Sequence, residues 1–252
     1  MKILLCFGTR PEAIKMAPLF HELQKNNVDV QVCVTAQHRE MLDQVLDFFV
    51  IVPDYDLDLM QPNQSLNGLS ATILSKMDGV FAVAKPDLVL VHGDTTTSSM
   101  VALAAFHNGI TVGHIEAGLR TYNKKAPFPE EVNRQLTSRI ADIHFTPTAA
   151  ATQNLLNEGI LPAAIVETGN TVIDALLLAV GKIEMEYYQH PEIERLKRLI
   201  PTHKKMVLVT GHRRENFGAG FEHLCDALLS VSAREDVTIV YPVHLNPNVK
   251  DI

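Results

Sequence analysis

The sequence predicts a doubly wound α/β fold: a parallel sheet with helices packed on both faces. Two patterns carry that prediction. Short β-rich runs recur that are apolar throughout, without the in-out alternation of a strand with one wet face. Each is followed by a longer helix-like stretch, which is the connection parallel strands require. At 252 residues the chain exceeds the usual single-domain size, so one large or two modest domains are expected.

Residues 2–7 form the first apolar run, which stops at Gly8-Thr9-Arg10-Pro11, a turn leading into a helix near 12–26. Further strands are expected at 30–35, 88–92, 111–115, 144–145 and 165–168. The helices between them fall near 38–49, 66–84, 95–108, 130–140 and 148–158. Pro129 opens the helix at 130–140, and Glu130 and Glu131 occupy its first turn, where the macrodipole favours acids. This first doubly wound domain is expected to span 1–170. Residues 171–252 are expected to hold linker helices and the opening βαβ part of a second, nucleotide-binding domain. There, a helix-like stretch at 171–182 and a charged one to about 199 lead to Pro201. A strand at 206–210, a Gly- and Arg-rich loop, a helix at about 221–234 and a strand at 237–241 follow. Two strands and one helix bury too little surface for an independent core. No internal repeat or low-complexity segment is present.

Composition excludes several classes. Hydrophobic residues at 46% and charged residues at 20% describe a globular chain, not a disordered one. Lys and Arg number 22 against 29 Asp and Glu, a net charge of −7 that argues against nucleic-acid binding through bulk charge. Cys6, Cys33 and Cys225 are odd in number and far apart, with no CxxC pair. That suits a reducing cytoplasm and offers neither a disulfide framework nor a zinc knuckle. The apolar start is too short for a signal peptide, and no run of about 18 apolar residues occurs. Secreted, membrane-spanning and fibrous classes are excluded.

Ligands of open parallel sheets bind outside the carboxyl ends of the strands, so the residues just after each strand carry most weight. Arg10 and Lys15 place two cations near a helix N-terminus, suited to an anion. Asp94, after the third long strand, is equally an N-cap or a catalytic carboxylate. Glu116 directly follows an apolar strand beside Gly118, which capping explains less well. Glu130 and Arg134 are four apart and could pair on one helix face. His212, with Arg213 and Arg214, suggests phosphate binding and proton handling; His244 ends the next strand in a similar position. There is no GxGxxG dinucleotide fingerprint, HExxH metal site, GxSxG elbow or Walker loop.

Seven strings occur in order: Gly8-Thr9-Arg10-Pro11-Glu12, residues 34–39, His92-Gly93-Asp94-Thr95, residues 113–120, residues 129–134, Thr168-Gly169-Asn170-Thr171 and residues 210–216. Together they resemble the bacterial non-hydrolysing UDP-N-acetylglucosamine 2-epimerases over the whole chain. The resemblance implies a glycosyltransferase-B-like fold and reversible conversion of UDP-GlcNAc to UDP-ManNAc in the cytoplasm, feeding cell-surface polysaccharide synthesis. It implies elimination of UDP to 2-acetamidoglucal followed by re-addition, with no redox cofactor and no metal. Asp94, Glu116 and Glu130 match the family's acid/base positions, and His212, Arg10 and Lys15 those that stabilise the diphosphate. Arg134 matches a further active-site position. Gln37, His38 and His244 resemble an activator pocket for a second UDP-GlcNAc. A homodimer is implied; nucleic acid and membrane insertion are not. The family's second domain is longer than residues 171–252, so the chain is expected to be C-terminally truncated relative to the family. The competing expectation is an inactive remnant that binds at most a ligand or partner.

Overall fold

The computed structural model describes residues 1–36, 39–59, 64–210 and 219–242. It divides into two compact units, Met1–Gly181 and Lys182–Ile252.

The first unit is built on strands β1 (Lys2–Phe7), β2 (Asp29–Val34), β3 (Tyr55–Asp56), β4 (Leu88–His92), β5 (Thr111–Ile115), β6 (Ile143–Thr146) and β7 (Ile165–Glu167). They form one sheet in the order β3-β2-β1-β4-β5-β6-β7. Every pairing is parallel. Chain order reverses between β1 and β4, which makes their carboxyl ends the switch point of the fold. The helices are α1 (Arg10–Lys25), α2 (Arg39–Phe49), α3 (Leu66–Ala84), α4 (Thr96–His107), α5 (Glu130–Ile140), α6 (Ala149–Asn157) and α7 (Thr171–Glu184).

The apolar runs have a simple cause: both faces of the sheet are covered. In β1, Ile3, Leu5 and Phe7 face a core shared with Val32, Val34, Leu88 and Leu90 and with residues of α1 and α2. The intervening Leu4 and Cys6 face a second core with Val89, Val91 and Val112, covered by α3 and α4. Neither parity of the strand reaches water, so neither can be polar without a partner.

The first unit continues past the expected boundary at 170 and takes in α7 as far as Gly181. Ala175 is buried in the first core and Ala179 packs against it. The second unit contains α8 (Pro191–Leu199), β8 (Lys205–Leu208), α9 (Ala219–Ser232) and β9 (Val237–Val240). Strands β8 and β9 pair in parallel, as a βαβ unit requires.

Candidate active site

Glu12 joins the two loops of the switch point. Its Oε2 accepts hydrogen bonds from the backbone N–H groups of Gly8 (3.0 Å) and Thr9 (2.8 Å). Its Oε1 accepts one from the Thr95 hydroxyl at 2.7 Å. Thr95 is also the N-cap of α4, accepting from the Ser98 N–H. A buried carboxylate thus clamps the β1–α1 turn to the β4–α4 turn. Burial raises its pKa, and the hydrogen bonds it accepts oppose that rise.

Glu116 sits immediately beyond β5 with a left-handed backbone, φ 62°. That conformation is costly for a side-chain-bearing residue and is found where the surroundings over-determine it. Oε1 accepts from Lys15 Nζ at 2.6 Å and from Asn170 Nδ2 at 2.8 Å. Oε2 lies 3.8 Å from His92 Nε2. Gly93, at φ 66°, abuts the same oxygen: a Cβ there would stand 3.6 Å from it. Burial disfavours the charge on Glu116, but the His92 ring, the Lys15 ammonium and the Asn170 amide outweigh it and lower its pKa. His92 itself is pushed down to about 4, mainly by burial, so it is neutral near pH 7.

Asp94 is not the N-cap of α4; Thr95 takes that place. Asp94 Oδ2 instead accepts two hydrogen bonds from Arg134, from Nε at 2.9 Å and from Nη2 at 2.6 Å. Asn133 fixes the same residue through its backbone carbonyl. Arg134 does not pair with Glu130 four residues earlier. Its remaining nitrogen, Nη1, donates to Glu131 at 3.1 Å. A charge-assisted fork onto Asp94, with both side chains mostly buried, outweighs a weak pair along a helix surface. Glu130 is left with a buried Oε2 that has no hydrogen-bond partner among the described residues.

The structure therefore gathers Lys15, Asp94, Glu116 and Arg134 into ion pairs at the carboxyl ends of β1, β4 and β5. Arg10 is exposed and stands apart from these pairs, lining a groove with Ile14, Phe48 and Val172. Gln37, His38, His212 and His244 lie outside the described residues. Glu12, His92 and Asn170 were not singled out from the sequence, although each lies in one of the ordered strings. The sequence signal for Glu12 is a capping box, Thr9 with Glu12 three residues on. No group of three or more His, Cys, Asp or Glu side chains among the described residues could hold a metal. No helix among them is long and apolar enough to cross a membrane.

A family model described as UDP-N-acetylglucosamine 2-epimerase matches residues 21–252. The chain belongs to this family. It is 55% identical to the UDP-N-acetylglucosamine 2-epimerase of Salmonella typhimurium, covering 100% of this chain and 67% of that protein. The Escherichia coli K12 epimerase is 54% identical with the same coverage. Among solved structures, the Neisseria meningitidis epimerase bound to UDP-GlcNAc matches with a TM-score of 0.91 at 50% identity, over 100% of this chain and 68% of that one. The Methanocaldococcus jannaschii epimerase in complex with UDP-GlcNAc and UDP matches at 0.80 and 31% identity, over 97% and 66%. The chain thus spans about two thirds of the length of these family members. The doubly wound parallel sheet expected from the sequence is the fold that these epimerases share.

Proposed function

We propose that this chain carries the acid/base machinery for epimerising UDP-N-acetylglucosamine at C2 to UDP-N-acetylmannosamine. The observation that supports this most is the Lys15–Glu116–Asn170 constellation at the switch point. It offers an ionised carboxylate with one oxygen held and the other turned toward Gly93 and His92.

The chemistry calls for such a group. No carbonyl neighbours C2 to acidify its hydrogen, so direct deprotonation carries a prohibitive barrier. Breaking the C1–O bond puts positive charge at C1 and makes the C2 proton labile. Glu116 takes that proton, the C1–O electron pair leaves with UDP, and 2-acetamidoglucal results. In the return step a carboxylic acid on the opposite face gives C2 a proton while a diphosphate oxygen attacks C1. Asp94 and Glu130 are the remaining carboxylates of the matched motifs. The developing charge on UDP calls for cations, assigned here to Arg10, Lys15 and His212. Arg134 holds Asp94. No redox cofactor or metal is needed at any step. The same reading includes a cytoplasmic homodimer, activation by a second UDP-GlcNAc at Gln37, His38 and His244, and supply of cell-surface polysaccharide synthesis.

Glu116→Gln tests the assignment. It keeps the shape and the hydrogen bond from Lys15 but cannot accept a proton, so UDP-ManNAc formation should fall by about 10²–10⁴-fold. Turnover within threefold of the parent would remove Glu116 from the acid/base role.

A further inference from the structure

His92 is the last residue of β4, and its side chain is 3% exposed. Nothing in the reaction sketched above uses it. Burial is the usual fate of a residue at that sheet position, and the preceding Val89 and Val91 meet the demand with apolar side chains. His92 instead brings a ring nitrogen, Nε2, that has no hydrogen-bond partner among the described residues. Leaving a buried polar atom unpaired is unfavourable, and such atoms in native proteins call for an explanation. Its nearest charged neighbour is Glu116 Oε2, at 3.8 Å, slightly beyond hydrogen-bond reach.

Resting on the reading of Glu116 as an acid/base group, we propose that His92 is a positioning residue for that carboxylate. Its Nε2–H closes onto Oε2 when substrate fills the site. Lys15 and Asn170 then hold Oε1, His92 holds one lone pair of Oε2, and the other lone pair of Oε2 faces the sugar. Among the described residues, the groups facing this pair are few. Lys15 approaches from α1, Asn170 from the turn before α7, and His114 interacts with His92 from β5. The neutral state of His92 near pH 7 fits a donor that orients a carboxylate without exchanging a proton with it. Gly93 lies against the same oxygen in a left-handed backbone conformation, φ 66°, that a side-chain-bearing residue would adopt only with strain.

The test is an NMR titration of the carboxyl carbons in the chain labelled with ¹³C-glutamate and saturated with UDP-GlcNAc, the Glu116 signal being assigned by its loss in Glu116→Gln. His92→Phe removes the donor and keeps a ring. Its Glu116 midpoint should rise by about one unit relative to the parent. His92→Leu, smaller and equally apolar, should show the same rise if the phenyl ring is not accommodated. His92→Asn keeps an N–H donor and should leave the midpoint within about half a unit of the parent. In UDP-GlcNAc turnover, the acid limb of the kcat profile of His92→Phe should move up with the carboxyl midpoint, while KM changes less than about twofold. An unchanged Glu116 midpoint in a folded His92→Phe or His92→Leu protein would overturn the proposal. The titration needs no turnover. A parent chain that binds but does not epimerise would therefore sink the catalytic reading while leaving the His92–Glu116 coupling to be decided by the shift.

Discussion

Two histidines at the sheet's centre should make the first unit sensitive to acid. Burial holds His92 at about 4 and His114 at about 3, both below the ordinary histidine value. A depressed folded pKa means the unfolded chain binds the proton more readily, so stability is fully present above about pH 6.5 and is lost as pH falls toward 4. The buried Glu12 acts in the opposite direction, since its folded pKa is raised, and offsets part of the loss. Denaturant unfolding at pH 7 and pH 5 should show a clear fall in stability. His92→Asn removes one titrating group and should reduce the slope by up to about 1.4 kcal/mol per pH unit. An identical slope in parent and variant would mean that His92 is not buried neutral. These residue-level pairings were the least legible part of the sequence. Lys15 and Glu116 stand 101 positions apart, and Arg134 and Asp94 stand 40 apart. The motifs supplied the residue types, but only the parallel register brings their ends together. Cys6 and Cys33, far apart in the chain, prove to be in-register neighbours on β1 and β2, both buried and free.

At the scale of elements, the exit of β5 is where local sequence and tertiary packing constrain each other most tightly. Gly118 has φ 87°, and a Cβ there would stand 2.3 Å from the carbonyl oxygen of Ala151 in α6. That contact is backbone and cannot yield, so Gly118→Ala should cost about 2–4 kcal/mol in denaturant unfolding followed by circular dichroism. A loss below half a kilocalorie would show that α6 can retreat. Two residues on, the Arg120 side chain is fully buried and donates to both carboxylate oxygens of Glu158, at 2.7 and 2.9 Å, and to Ser138 Oγ at 2.9 Å. It ties the strand exit to α5 and to the end of α6. Arg120→Ala strands the partly buried Glu158 carboxylate, with an expected loss of about 3–5 kcal/mol. The long elements were legible because strands buried on both faces leave short apolar runs and the helices between them leave longer stretches. The strand β3, only Tyr55–Asp56, was not expected, because two residues carry no periodicity.

Across the whole molecule, the two units differ sharply in burial. Every residue of β4 is buried, whereas every residue of β8 is exposed, Met206 at 54% and Leu208 at 59%. Backbone hydrogen bonds open at a cost set by the contacts that must break with them. Amide hydrogen exchange should therefore be orders of magnitude faster in Lys205–Leu208 than in Leu88–His92. Equal protection in the two strands would mean that β8 is covered in solution. Element counting predicts too small a core for two strands and one helix, and the exchange rates of β8 test it. The unit boundary was less legible, because α7 packs back on the first core through small residues, Ala175 and Ala179, that look neutral in sequence.

The central claim is that the carboxylates gathered at the switch point exchange the C2 proton of a nucleotide sugar. The most direct measurement is proton NMR of the purified 252-residue chain with UDP-GlcNAc in D₂O. Deuterium at C2 together with the anomeric signal of UDP-ManNAc is the expected result. No exchange and no epimer at high protein concentration would contradict it.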